Sequence, residues 1–179
     1  TILERSPLSM KVGEAYWGNN SELLKITRQT VDDTIFYSVP RKNKSASDKY
    51  NRLTLTYKEF RVEFRAYNDG IAYRFSGRND LVKAVHQETV CYNFPENYKT
   101  YTLITDKLQS WFEENYTVKN IEELSDSGFS VTPVMVCAGS CRLLLTEANL
   151  FNYPGMYLKP AGKSFEGLFA NYPSKEEFF

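Results

Sequence analysis

The sequence predicts a mainly β, antiparallel sandwich with little helix. Three observations carry this: a strictly alternating run from Phe60, turn chemistry at Asn68-Asp69-Gly70, and a series of short β-rich runs at close spacing. In the first, Phe60, Val62, Phe64 and Ala66 share one face while Arg61, Glu63 and Arg65 share the other. That is the pattern of a strand with one face on a core and one in water. Asn and Gly tolerate positive φ, so Asn68-Asp69-Gly70 turns the chain, and Ile71-Ala72-Tyr73-Arg74-Phe75 begins the return strand of a hairpin.

The other elements follow in chain order. Ile35 to Val39 reads as a short strand ending at Pro40. Arg41 to Asn51 is rich in Lys and Ser and reads as a mobile loop. Asp32-Asp33 reads as a pair of solvated loop acids. Leu53 to Tyr57 alternates and leads into the Phe60 strand. His86 to Tyr92 and Tyr98 to Ile104 are two further strands. Asn120 to Leu124 reads as a single helical turn capped by Asn120, with Glu122 and Glu123 as solvated acids at its start. Val131 to Cys137 and Cys141 to Thr146 form a second hairpin around Ala138-Gly139-Ser140. Ser174 and Glu177 have capping-box spacing.

Composition excludes several function classes. The 179 residues carry 22 Lys+Arg and 22 Asp+Glu, a net charge of zero, which removes the electrostatic basis for nucleic-acid or anionic-membrane binding. The one histidine, His86, excludes a multi-His metal centre and has no Ser or Cys partner in a nucleophile motif. No apolar run approaches the length of a membrane span. The chain starts at Thr1 without a signal-peptide pattern, so it is expected to be a piece of a longer protein. Its three cysteines cannot all pair internally. Cys137 and Cys141 read as two thiols facing each other across the second hairpin; a zinc half-site there would need a second ligand pair.

Glu147 is the most informative acid. In Cys141-Arg-Leu-Leu-Leu-Thr-Glu147, alternation puts Leu143, Leu145 and Glu147 on one face. A carboxylate continuing an apolar face needs a cation, an arginine or backbone N–H groups. The competing reading is that the strand has ended and Glu147 is simply solvated. Glu113 and Glu114 follow Trp111-Phe112, an acid-beside-aromatic pattern suited to sugars. Adjacent strand residues face opposite ways, so these two cannot act as a pair, and an ordinary strand end is the blander reading. Trp17 and Trp111 are either sugar platforms or ordinary packing.

By Leu143-Leu-Leu-Thr-Glu-Ala-Asn-Leu-Phe-Asn-Tyr-Pro-Gly-Met-Tyr-Leu158, the chain resembles the N-terminal domain of glycoside hydrolase family 97, the Bacteroides-type α-glucosidases and α-galactosidases. Four further blocks agree in order: Glu4-Arg-Ser-Pro-Leu8, Phe60 to Phe75, Trp111-Phe-Glu-Glu-Asn-Tyr116 and Gly167-Leu-Phe-Ala-Asn-Tyr-Pro173. Ser9 stands where the family usually has Gly, and the Cys137/Cys141 pair is not part of the family pattern. The resemblance implies a super-sandwich of the galactose-mutarotase kind spanning residues 1–179, truncated at both ends. It implies that this domain, itself inactive, packs on a catalytic (β/α)₈ barrel of the same polypeptide, and that the parent enzyme acts on an oligosaccharide and is exported to the periplasm of a Gram-negative bacterium. It places no catalytic residue in this chain. It makes Glu147 the domain's one ligand to a calcium ion, with Trp111, Glu114 and Asn149 as candidates for substrate contact. Calcium takes 6–8 oxygen ligands, so little calcium binding is expected of this chain alone. The competing expectation is a free-standing carbohydrate-binding module using Trp17, Trp111 and exposed tyrosines, or a β-sandwich interaction module.

Overall fold

A computed structural model describes residues 1–18, 20–39, 41–78, 84–109, 111–124, 128–151 and 153–171. The Ser174/Glu177 pair lies outside the described residues. The strands are β1 (Leu8–Val12), β2 (Ala15–Trp17), β3 (Lys25–Phe36), β4 (Ser45–Thr56), β5 (Phe60–Ala66), β6 (Ile71–Gly77), β7 (Val85–Asn93), β8 (Lys99–Thr105), β9 (Thr117–Asn120), β10 (Phe129–Ala138), β11 (Cys141–Leu145), β12 (Met156–Ala161) and β13 (Ser164–Phe169), with one 3-10 turn at Ile121–Leu124. The chain divides into two compact units, Thr1–Lys11 with Val85–Phe179, and Val12–Ala84.

In the smaller unit, β3, β4, β5 and β6 form a four-stranded antiparallel meander in sequence order. The predicted hairpin is there: Phe60 pairs with Gly77 and Ala66 with Ile71, and the Tyr67 amide closes the turn on the Gly70 carbonyl at 2.8 Å. Phe60 and Val62 are buried, as the alternation requires, and Trp17 and Tyr57 stack on Phe60 at ring separations of 5.2 and 4.3 Å.

Two expectations fail in this unit. Residues 45–51 are not a loop, and Asp32-Asp33 are not loop acids. They lie in a twelve-pair ladder that runs from Lys25↔Thr56 to Phe36↔Ser45. The ladder is polar because β3 is exposed along almost its whole length, on both faces. No apolar face exists there for periodicity to reveal. Cross-strand polar pairs take its place: Lys49 Nζ sits 2.9 Å from Asp32, and Thr30 Oγ1 donates to Asn51 Oδ1 at 2.9 Å.

In the larger unit one antiparallel sheet runs β1-β7-β13-β12-β10-β8-β9, with β11 also on β10. Its core includes Val90, Ile121, Leu124, Val134, Val136, Leu158 and Phe165, each at most 1% exposed. β12 and β13 carry no sequence signal as clear as the first hairpin. Pro160 argues against a paired strand, yet it stands opposite Phe165, beyond the Tyr157 and Leu158 positions where β12 also meets β10. The helical turn forms where predicted, with a different cap. The Asn97 side chain accepts from the Glu122 amide at 3.1 Å, and the Glu123 carboxylate accepts from the Asn120 amide at 2.9 Å.

The second hairpin also forms, but its register separates the cysteines. Cys137 pairs with Arg142 and Cys141 with Ala138, so the two thiols stand on opposite faces of the ribbon instead of facing each other. All three cysteines are free.

Candidate functional site

β10 changes neighbours along its length. At Ser130 and Val131 it pairs with β12, and from Val134 to Ala138 it pairs with β11. Between Val131 and Met135 its register with β8 shifts, across the segment that holds the cis Thr132-Pro133 bond. The end of β11, at Leu145 opposite Val134, therefore comes beside the start of β12 on the same flank of β10. Thr132 Oγ1 donates to the Met156 carbonyl at 3.2 Å across this junction.

Glu147 sits two residues past Leu145. The alternation that buries Leu145 and half-buries Leu143 carries its side chain inward, and Glu147 is half-buried. Its Oε1 accepts a hydrogen bond from the Met156 amide at 2.7 Å. A Cβ on Gly155 would stand 3.4 Å from that oxygen, so this backbone runs beside the carboxylate. Burial raises the Glu147 carboxyl above the ordinary glutamate range, opposed by the Met156 hydrogen bond.

A second carboxylate belongs to this locus. Glu88, half-buried on β7, accepts from the Tyr153 hydroxyl at 2.5 Å. Its carboxyl is pushed up by burial and further by the negative charge of Glu147, against the Tyr153 bond. Burial and the Glu88 carboxylate together push the Tyr153 phenol up as well. The Tyr153 ring meets Phe169 edge-on at 6.1 Å, and Phe169 stands opposite Met156 in the β12–β13 ladder. Among the described residues neither carboxylate forms an ion pair, and no group of three His, Cys, Asp or Glu side chains could hold a metal. Among the described residues the locus offers carboxylate and phenol oxygens with no compensating cation.

The other predicted residues lie elsewhere. Trp111 is 93% exposed. It precedes Phe112, whose φ of 56° is unusual for a bulky residue. The Phe112 ring turns onto Tyr157 at 6.5 Å, and the Tyr157 hydroxyl donates to the Leu108 carbonyl at 3.0 Å. Residues 111–116 are not a strand end, since β9 begins only at Thr117; Glu113 and Glu114 are exposed there. Asn149 is exposed, with φ 64°, and its carbonyl accepts from the Phe151 amide at 2.9 Å, which makes it a turn former. Trp17 is core, with 7% exposure. His86 is exposed on β7. Sequence reasoning missed Glu88 and Tyr153, which lie 65 positions apart. The one available signal was a glutamate within a β-forming run.

A family model described as Glycosyl-hydrolase 97 N-terminal matches residues 1–174. A curated protein of Bacteroides thetaiotaomicron named retaining alpha-galactosidase is 32% identical over an alignment 191 residues long, gaps included, that covers 97% of this chain and 28% of that protein. Among solved structures, a glycoside hydrolase family 97 enzyme from Pseudoalteromonas sp. strain K8, in complex with acarbose, superposes with a TM-score of 0.78 at 16% identity. That match covers 94% of this chain and 27% of that one. A beta-arabinopyranosidase superposes with a TM-score of 0.75 at 22% identity, covering 99% of this chain and 31% of that one. The mainly β, antiparallel class read from the sequence is the one these folds share. The chain spans less than a third of each relative's length.

Proposed function

The chain belongs to the glycosyl-hydrolase 97 N-terminal family, and from that premise we propose that it is the non-catalytic N-terminal domain of a calcium-dependent α-glycosidase. The whole protein hydrolyses terminal α-glycosidic bonds of an oligosaccharide. The 32% identical relative favours α-galactosides over α-glucosides. The domain packs on a catalytic (β/α)₈ barrel of the same polypeptide and supplies Glu147 to a calcium ion. The protein is exported to a Gram-negative periplasm, in keeping with its Bacteroides relative. No helix among the described residues is long and apolar enough to cross a membrane.

One observation carries the calcium reading: Glu147 is half-buried, fixed by the Met156 amide at 2.7 Å, and lacks a cation partner among the described residues. Calcium takes carboxylate oxygens, and a bound cation would reverse the burial penalty on this group. The residues present fit such an ion as partial donors only, so the remaining ligands come from outside this chain. When bound, calcium supplies a fixed positive charge that orients oxygen ligands and substrate hydroxyls. This chain's own contribution is to hold one carboxylate oxygen against Met156 and leave the other for the ion.

The test is calcium titration of the full-length protein beside its Glu147→Gln variant, with hydrolysis of an α-galactoside measured in parallel. Loss of about 100-fold or more in calcium affinity, with a fall in kcat, is the expected outcome. Unchanged affinity and kcat would remove Glu147 from the site. The isolated chain should show negligible calcium binding.

Trp111 favours a second role for the same domain. A 93% exposed indole beside a backbone held at positive φ is a side chain put on display. Trp111, with Glu114 and Asn149 as further exposed candidates, is proposed to meet sugar. Isothermal titration of the chain with maltose and melibiose, with Trp111→Ala as the control, tests this directly.

A further inference from the structure

Glu147 leaves the regular structure at Leu145, and the chain regains it only at Met156. The described residues between them are exposed except Glu147 and Tyr153. Asn149 within this segment adopts a left-handed conformation. Such a segment does not hold a side chain in place by packing alone. Two ties fix it. One is the Met156 amide on Glu147 Oε1 at 2.7 Å. The other is the Tyr153 hydroxyl on Glu88 Oε2 at 2.5 Å. The second tie acts just upstream of the first, since Tyr153 precedes Met156 by Pro154-Gly155. Its far end is a strand, β7, that pairs with β13 from Ser164↔Asn93 to Glu166↔Cys91. The Tyr153 ring is itself seated against Phe169 of β13 at 6.1 Å. Gly167 completes the seat: a Cβ there would meet Val90 at 3.1 Å, Phe169 at 3.3 Å and Met156 Sδ at 3.5 Å.

A half-buried glutamate placed within electrostatic reach of another, with no cation to offset it among the described residues, is unfavourable for folding. An aliphatic or amide side chain would avoid that cost. The carboxylate does offer Tyr153 a charged acceptor, and hydrogen bonds to ionised groups are about twice as strong as neutral ones.

We propose that Glu88 is a positioning residue for the calcium site. Acting through Tyr153, it anchors the Pro154–Met156 backbone to β7 and thereby sets where the Met156 amide holds the Glu147 carboxylate. Glu88 does not touch the ion. The proposal rests on the reading of Glu147 as a calcium ligand, and it deepens that reading by naming what orients the ligand. Outer-shell partners of metal ligands typically change affinity by about 10–100-fold when removed.

The experiment uses the full-length protein, four single variants, Tyr153→Phe, Glu88→Leu, Glu88→Gln and Glu147→Gln, and the Tyr153→Phe/Glu88→Leu double variant. Two quantities are read: calcium affinity by titration, and hydrogen exchange of the peptide containing the Met156 amide in chelator. Tyr153→Phe and Glu88→Leu should each weaken calcium about 10-fold or more and quicken exchange at Met156. Glu88→Gln keeps an oxygen that accepts from Tyr153, though more weakly than a carboxylate does, so it should restore part of the affinity lost in Glu88→Leu. The Tyr153→Phe/Glu88→Leu double variant should be no worse than either single, because both remove one bond. Calcium affinity in Tyr153→Phe equal to wild type overturns the proposal. So does a Glu88→Gln loss as large as that of Glu88→Leu, which would mean that accepting the Tyr153 bond is not what Glu88 contributes. If Glu147→Gln leaves calcium binding intact, the ligand reading has failed instead. The Met156 exchange rate then decides the anchoring alone: quickened in Tyr153→Phe it stands, unchanged it falls.

Discussion

Two glutamates in this chain sit at similar depth in opposite electrostatic surroundings. Glu63, on the polar face of β5, has a side chain only 14% exposed and three arginines around it: Arg65 Nε at 2.8 Å, Arg74 Nη2 at 3.6 Å and Arg52 Nη1 at 3.7 Å. The pairing register explains the gathering. Arg74 stands directly opposite Glu63, Arg65 is two residues along the same face, and Arg52 stands opposite Arg65 on β4. Arg65 lies over the Tyr50 ring at 4.6 Å, and its guanidinium is held more firmly protonated by Glu63. Glu147 has one backbone amide, and its charge acts on another carboxylate, Glu88. The first arrangement is complete within its own sheet and stabilises it. The second has no compensating cation among the described residues.

Removing each charge should therefore act with opposite sign, and the larger effect belongs to the compensated site. Glu63→Gln leaves three guanidinium groups facing one another without their shared anion. We expect a loss of about 1–2 kcal/mol in the unfolding free energy of the chain, on the scale of a few partly exposed ion pairs acting as a network. Denaturant titration measures it. The gap from wild type should narrow in about 1 M salt, where the screening length falls to about 3 Å. A variant as stable as wild type at low salt would mean that the arginine cluster contributes nothing and that the contrast between the two sites is empty.

Much of the compensated site was legible before any coordinates. Strict alternation over Phe60 to Ala66 separates Arg61, Glu63 and Arg65 from the apolar face, and Asn68-Asp69-Gly70 fixes the turn. Half of the second site was legible too. The inward direction of Glu147 follows from Leu143 and Leu145 by period-two counting, and the structure half-buries it. Glu88 and Tyr153 were not legible, because their meeting depends on β13 bringing β7 alongside β12, a fact of topology with no local signature. The β3–β4 ladder was hidden for a different reason. A strand wet on both faces carries no periodic hydrophobicity, so Ser45 to Asn51 read as a loop by its polar composition. The cysteines failed by a single residue of register, which in a sheet moves a side chain to the other face.

The converse substitution tests the uncompensated site. In the calcium-free chain, Glu147→Gln keeps an oxygen for the Met156 amide and removes a charge that burial disfavours. The melting temperature should rise slightly, by less than Glu63→Gln lowers it. In the full-length protein with calcium the order reverses, because the variant forfeits the stabilisation that binding confers on the native state. Equal melting temperatures for wild type and variant, with and without calcium, would make Glu147 an ordinary solvated acid.

The smallest expected effect is a pH dependence, and its sign follows from the direction of the shifts. The Glu88 and Glu147 carboxyls are both raised above their ordinary value, chiefly by burial. Between the unfolded pKa, about 4.3, and the higher folded values, the native chain binds more protons than the unfolded one. Unfolding free energy therefore falls as pH rises through that window. This contribution is fully present below the unfolded pKa and lost above the folded ones. Bound calcium should invert the behaviour, since the ion requires the ionised carboxylate and competes with protons for it. Melting curves of wild type and the Glu88→Gln/Glu147→Gln double variant, from about pH 4 to 7, isolate the pair's share. In chelator, wild type should lose stability relative to the double variant as pH rises. In calcium, the full-length wild type should gain on it over the same range. A difference that does not change with pH in either condition would show that the two carboxylates titrate as free acids, and the uncompensated half of the comparison would be gone.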